Sequence, residues 1–223
     1  MGGTAMTAQS TTSRRATRCD QRARFGTLRR QQRVTRGRCV RLRNGSAVLI
    51  RQIRRTDAAL LAEGFTRLSS ESRRSRFLTR KDALSPAELR YFTDVDHIDH
   101  EALVALDAVD GRCVGVARYI READDPQAAE IAITVVDEWH RRGLGTELVT
   151  ALAQRARRTG IRRFTALVAS DNVAVIMLAH NLARGSLVGR EHGTLTFEFT
   201  LDRDEAVTKT PLDWAWQYDR GIG

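Results

Sequence analysis

Lysine is nearly missing from this chain: of 37 basic residues only Lys81 and Lys209 are lysine. We read that as a coding bias from which no function follows. Cysteine is scarce as well. Cys19, Cys39 and Cys113 show no metal-type spacing. Three is an odd number, and the amino terminus lacks the apolar core of a secretion signal, so the expectation is reduced thiols in a cytoplasm. No run approaches the ~18 apolar residues that cross a bilayer, which argues against a membrane partner. Acid is lacking in one place only. Residues 1–46 hold twelve arginines and a single acid, Asp20, whereas the remainder holds 25 basic and 26 acidic residues. The formal charge of +10 therefore belongs to the amino-terminal segment, and the rest is close to neutral.

Residues 1–46 are also poor in apolar side chains and show no sustained period. Such a segment buries too little surface to offset its ordering entropy, so it is predicted to be a disordered arm. An arginine-rich arm offers weak, salt-sensitive contact with nucleic acid. The 223 residues suit one domain of ordinary size with tails. That domain is expected at 47–202, followed by a short tail, 203–223, carrying Trp214, Trp216 and Tyr218.

Within 47–202 the apolar pattern switches repeatedly between periods. "AVLIRQI" reads as a strand. Thr56 and Asp57 stand where they would cap the helix "DAALLAEGFTRL", and Ser69 stands ready to cap a second short helix ending near Phe77. "SPAE" combines Ser85, Pro86 and Glu88 as a capping box at a third helix start. Two strands meet at Asp110-Gly111, a hairpin signal, and "AEIAITVVD" is a further strand. Then come the helix "GLGTELVTALAQRARR", stopped by Gly160, the strand "RRFTALVAS", the helix "DNVAVIMLAHNLARG" and a closing pair of strands. The fold class read from this order is mixed α/β (α+β).

The stretch "DEWHRRGLGTELV" joins a strand to a helix through a Gly-rich turn. The first amides of a helix lack intrahelical partners and sit at the positive end of its dipole. A pyrophosphate satisfies both. Gly143 and Gly145 allow close approach, Arg141 and Arg142 add charge, and Thr146 adds a hydroxyl. A Walker loop is excluded by the absence of its lysine, and a dinucleotide fingerprint by Leu148 at its third glycine position. Taken alone, a basic helix start remains an equal reading.

The context of that stretch carries a resemblance. "HRRGLGTELV", after "ITVVDEW" and before "ASDNVAVIMLAHNL", resembles the GNAT superfamily of acyl-CoA-dependent N-acetyltransferases. Their Q/R-x-x-G-x-G/A signature here begins with His140 instead of Gln or Arg. "LSPAELRYFTDVDHIDHEALVAL" and "AEIAITVVDEWHRRGLG" look most like the catalytic domain of bacterial Pat-type protein-lysine acetyltransferases. The resemblance covers about residues 47–201. It implies a mainly antiparallel central sheet flanked by helices, acetyl-CoA as co-substrate, and a primary-amine acceptor, with protein lysine favoured, in a bacterial cytoplasm. It also implies that Val135 and Val136 pair with the pantetheine arm. The amides of Arg141, Arg142, Gly143, Leu144, Gly145 and Thr146 would hold the pyrophosphate, and Asn172 would contact the coenzyme.

Acyl transfer needs a neutral amine and hence a general base. Glu130, near the start of the strand leading into the Gly-rich turn, matches a catalytic glutamate of related enzymes. Period-two alternation puts Glu130, Ala132 and Thr134 on one face and Ile131, Ile133 and Val135 on the other. The tyrosine that many members use to protonate the leaving thiolate is replaced by Ala179, with His180 adjacent, and that role stays unassigned. Cys113 has no apparent histidine–acid partner, so direct transfer is expected. "DVDHIDHE", residues 94–101, groups acids and histidines, but it is read as a polar loop and no metal is assigned. His192 is read as a turn residue. A second reading is a non-catalytic acyl-CoA sensor, tethered to nucleic acid by the basic arm.

Overall fold

The computed structural model describes residues 37–181 and 185–201. The expectations for residues 1–36 and for the tail from 203 lie outside the described residues. One eight-stranded sheet runs in the order β1-β2-β3-β4-β5-β6-β8-β7. Its strands are β1 (Arg38–Arg41), β2 (Ala47–Gln52), β3 (His100–Asp107), β4 (Cys113–Arg121), β5 (Ala128–Val135), β6 (Arg163–Ala169), β7 (Gly185–Glu191) and β8 (Thr194–Thr200). All neighbours pair antiparallel except β5 and β6, which are parallel.

The helices are α1 (Ala58–Thr66), α2 (Ser70–Phe77), α3 (Pro86–Thr93), α4 (Leu144–Arg158) and α5 (Val173–Asn181). α4 buries Leu144, Leu148 and Leu152, one stripe at helical spacing, in the main core. Each such leucine contributes about 1.5–3 kcal/mol of burial. Ile131, Ile133 and Val135 of β5 join that core, while Ala132 and Thr134 face the side covered by α1–α3. The expected alternation is therefore the observed one.

Three helix signals read from sequence are seen in place. Ser69 Oγ accepts from Ser72 N at 3.1 Å, and Ser85 and Glu88 form the reciprocal capping box with Pro86 in the first turn. Gly160 follows the end of α4 with φ +87°.

Two readings need correction. The ordered part begins ahead of residue 47: β1 pairs with β2 from Arg38↔Ile50 to Arg41↔Ala47. Val40 and Leu42 are buried, so even this arginine-rich segment has apolar residues enough to close a sheet edge. Asp57 makes no cap bond to α1. Its carboxylate instead takes the buried Arg51 side chain bidentately, at 2.6 and 2.9 Å, and accepts from Arg54 N at 2.8 Å. A buried guanidinium demands a carboxylate more strongly than a helix end demands a cap worth about 1 kcal/mol.

Candidate active site

The sheet splits beside Glu130. β5 and β6 pair only at Ala128↔Arg163, Ala129↔Phe164 and Glu130↔Thr165. β5 then runs on to Val135 and β6 to Ala169 with no further pairing between them, while β6 stays bonded to β8 on its far side. Two strands thus diverge from an apex at Glu130, and among the described residues nothing pairs with the β5 edge from Ile131 to Val135, which leaves it the hydrogen-bonding groups to take an extended chain.

The loop leaving β5 is held from several sides. Val136 N donates to Val114 O at 3.0 Å. Asp137 accepts from Ser69 N at 2.9 Å and from the Ser69 and Ser72 hydroxyls at 2.8 Å each. Burial alone would raise its pKa, but these hydrogen bonds outweigh it and hold the carboxyl below its ordinary value. Arg67 pairs with Glu138 at 2.9 Å, and the Arg142 guanidinium lies 4.8 Å from the Trp139 ring centroid. His140, which replaces the expected Gln or Arg, donates from Nε2 to Val135 O at 2.8 Å. It ties the end of β5 to the turn through its side chain.

Arg141 and Gly143 both have positive φ, +57° and +88°. This sharp reversal delivers the chain into α4, whose N-cap Gly143 makes no side-chain cap bond. The first loop-to-helix bond noted there is Glu147 N to Gly143 O at 3.2 Å. The amides of Leu144, Gly145 and Thr146 precede it and lack i−4 partners. A Cβ on Gly145 would approach Leu178 Cδ2 at 3.1 Å, so this glycine also lets α5 close against α4. At the same end, Arg38 of β1 pairs with Glu147 at 2.7 Å.

Glu130 is exposed, and Arg76 of α2 lies within its field. On that face a cavity of about 550 Å³, its open mouth included, runs between the sheet and α1–α3. Phe65, Phe77, Phe92 and Thr134 line it, together with Arg76 and Arg118.

Other singled-out residues have different surroundings. Asn172 Oδ1 accepts from Val175 N at 3.1 Å, so this oxygen caps α5. Ala179 is buried in the core, and the side chain of His180 lies outside the described residues. The 94–101 run is knitted to protein. Asp96 Oδ1 accepts from three backbone amides, and Asp99 pairs with Arg121 at 2.7 Å. His97 Nδ1 lies 2.7 Å from the buried Glu101, which also takes Gln52 and Arg155. Burial pushes the Cys113 thiol up to about 11, far from thiolate chemistry. His192 sits in the β7–β8 turn with φ +45°.

Sequence reading missed Arg118. Its signal was there: one arginine inside the apolar run "CVGVARYI". Arg76 carried none, being one of several arginines in α2.

The arrangement is a split sheet with a helix start that lacks a side-chain cap at the end of one arm. Residues 65–182 match the acetyltransferase (GNAT) family, and the chain belongs to that family. It is 33% identical over 136 residues to acetyltransferase Pat of Mycolicibacterium smegmatis, covering 61% of this chain but 40% of that protein. It is 35% identical over 136 residues to acetyltransferase PA5475 of Pseudomonas aeruginosa, covering 60% of this chain and 73% of that one. The GNAT domain of S. lividans PAT superposes with a TM-score of 0.70 at 30% identity, covering 74% of this chain and 96% of that domain.

Proposed function

We propose that the protein transfers an acetyl group from acetyl-CoA to a primary amine, with a protein lysine as acceptor. The observation that carries this reading is the parting of β5 and β6 immediately after Glu130, with the free amides of α4 at the far end of the same arm. The pantetheine arm lies along β5 beside Val135 and Val136. Its pyrophosphate sits on the amides from Arg141 to Thr146, and Asn172 lies at the coenzyme's flank. Glu130, at the apex, takes the proton of the incoming ammonium, directly or through a water, since free lysine is almost wholly protonated at neutral pH. The amine attacks the thioester carbonyl, the C–S bond breaks, and the thiolate leaves to be protonated from solvent. The names of the two relatives, both acetyltransferases, support acetyl transfer by analogy, and the acceptor class follows from the resemblance in sequence.

Coenzyme A binding to the folded protein tests the first part, and its absence would overturn the reading. Glu130→Gln is expected to bind coenzyme A as the wild type does while turnover at neutral pH falls about 10²-fold or more. Unchanged turnover removes Glu130 from the role.

The buried Ala179, at the place of the family's tyrosine, favours a second reading as a non-catalytic acyl-CoA sensor. Thiol release from acetyl-CoA with lysine-containing proteins separates the two.

A further inference from the structure

Arg118 is 5% exposed, yet among the described residues no carboxylate pairs with it. Its contacts are the His100 ring nitrogen Nε2 at 3.0 Å, the Phe92 carbonyl at 3.4 Å and the Phe92 ring at 4.4 Å. His100 cannot supply a counter-charge. Burial and the neighbouring Arg118 bring its pKa down to about 4, so it is neutral near pH 7 and accepts from the guanidinium. Burial first, then the field of Arg76, depress the pKa of Arg118 itself, with Tyr91 opposing them. Arg76 lines the same cavity, over the Phe77 ring at 5.0 Å and within the fields of Glu130 and Tyr91.

Two guanidinium groups thus line one largely apolar cavity, and among the described residues neither is in an ion pair with a carboxylate, Glu130 reaching Arg76 only through its field. Buried charges are normally paired, because desolvating an unpaired ion is costly. Arg51 obeys the rule in this same chain through Asp57. The place is also chemically apt. Arg118 stands opposite Ala132 in the β4–β5 register, and Ala132 is two residues from Glu130 on the same face. That is about 6–7 Å along the strand.

We propose that Arg118 and Arg76 bind a carboxylate of the substrate, so that the cavity selects a reactant with an apolar body and an anionic end. The proposal rests on the acyltransfer reading for its use but not for its binding test. The carboxylate has two sources, the far end of a dicarboxylic acyl chain or an acidic group beside the acceptor amine.

Butyrate and butyramide, titrated into the full chain and followed by NMR, test the site itself. Butyrate is expected to bind about tenfold or more tightly than the amide, as a charge-assisted bidentate contact requires. Arg118→Met and, separately, the half-buried Arg76→Gln should erase the difference. Equal binding of the two probes, no binding of either, or a difference that survives both substitutions overturns the proposal. Melting temperature and coenzyme A binding report whether each variant folds. Turnover then names the source. A preference for succinyl-CoA over butyryl-CoA on a neutral lysine peptide assigns the acyl chain. A preference, with acetyl-CoA, for a peptide flanked by Glu over its Gln counterpart assigns the acceptor. Loss of all coenzyme A binding defeats the acyltransfer reading alone, because the butyrate titration is read independently of it.

Discussion

Gly143 has φ +88° at the entry to α4, and a Cβ there would meet nothing closer than Arg43 Nε at 3.6 Å. The objection to any other residue is conformational, not steric, and costs about 1–2 kcal/mol. Gly143→Ala is therefore expected to weaken coenzyme A binding by up to about tenfold, read by calorimetry. His100 makes a second prediction at this level. Its folded pKa, about 4, lies below the ordinary 6.5, chiefly through burial and then through Arg118. The neutral ring is the form the fold prefers. Its contribution is full above pH 6.5 and is lost as pH falls from there toward 4. Melting temperature should decline across that window, and less steeply in His100→Asn. The His100 effect is not written in local sequence. Gly143 was legible as a turn glycine, but the environment of His100 depends on Arg118, 18 residues away on the next strand.

Elements differ in how openly they announce themselves. The capping box at Ser85 and the cap at Ser69 involve groups within three residues, so sequence alone sufficed. Asp57 looked like the same signal and is not, because the competing partner Arg51 is buried on β2. Removing one member leaves the other charge buried and alone. Asp57→Ala is expected to cost about 3–5 kcal/mol by denaturant titration, whereas the apolar pair Arg51→Met with Asp57→Leu should recover most of it. On α4, Leu148→Ala should cost about 2–5 kcal/mol, since that side chain is fully buried between helix and sheet. Coenzyme affinity should move little, because the amides that precede Glu147 keep their geometry.

At the level of the whole chain, the amino-terminal boundary is the clearest lesson. Charge and composition drew it at residue 46, yet Arg38–Arg41 completes the sheet and Arg38 anchors the start of α4 through Glu147. A chain beginning at residue 47 should melt lower than one beginning at residue 37, by the burial of Val40 and Leu42, about 1.5–3 kcal/mol each. An edge strand of four residues, half of them arginine, carries no period that sequence alone can separate from a basic arm.

The amino-acid order by itself determined the succession of strands and helices from residue 47 on, the Gly-rich turn and the family, because each rests on residues adjacent in the chain. The split of the sheet at Glu130, the buried Arg118 on β4, the Arg51–Asp57 ion pair and the first strand were decided by tertiary structure. Each depends on residues that meet only after the sheet has closed, when burial sets which charges must find a partner.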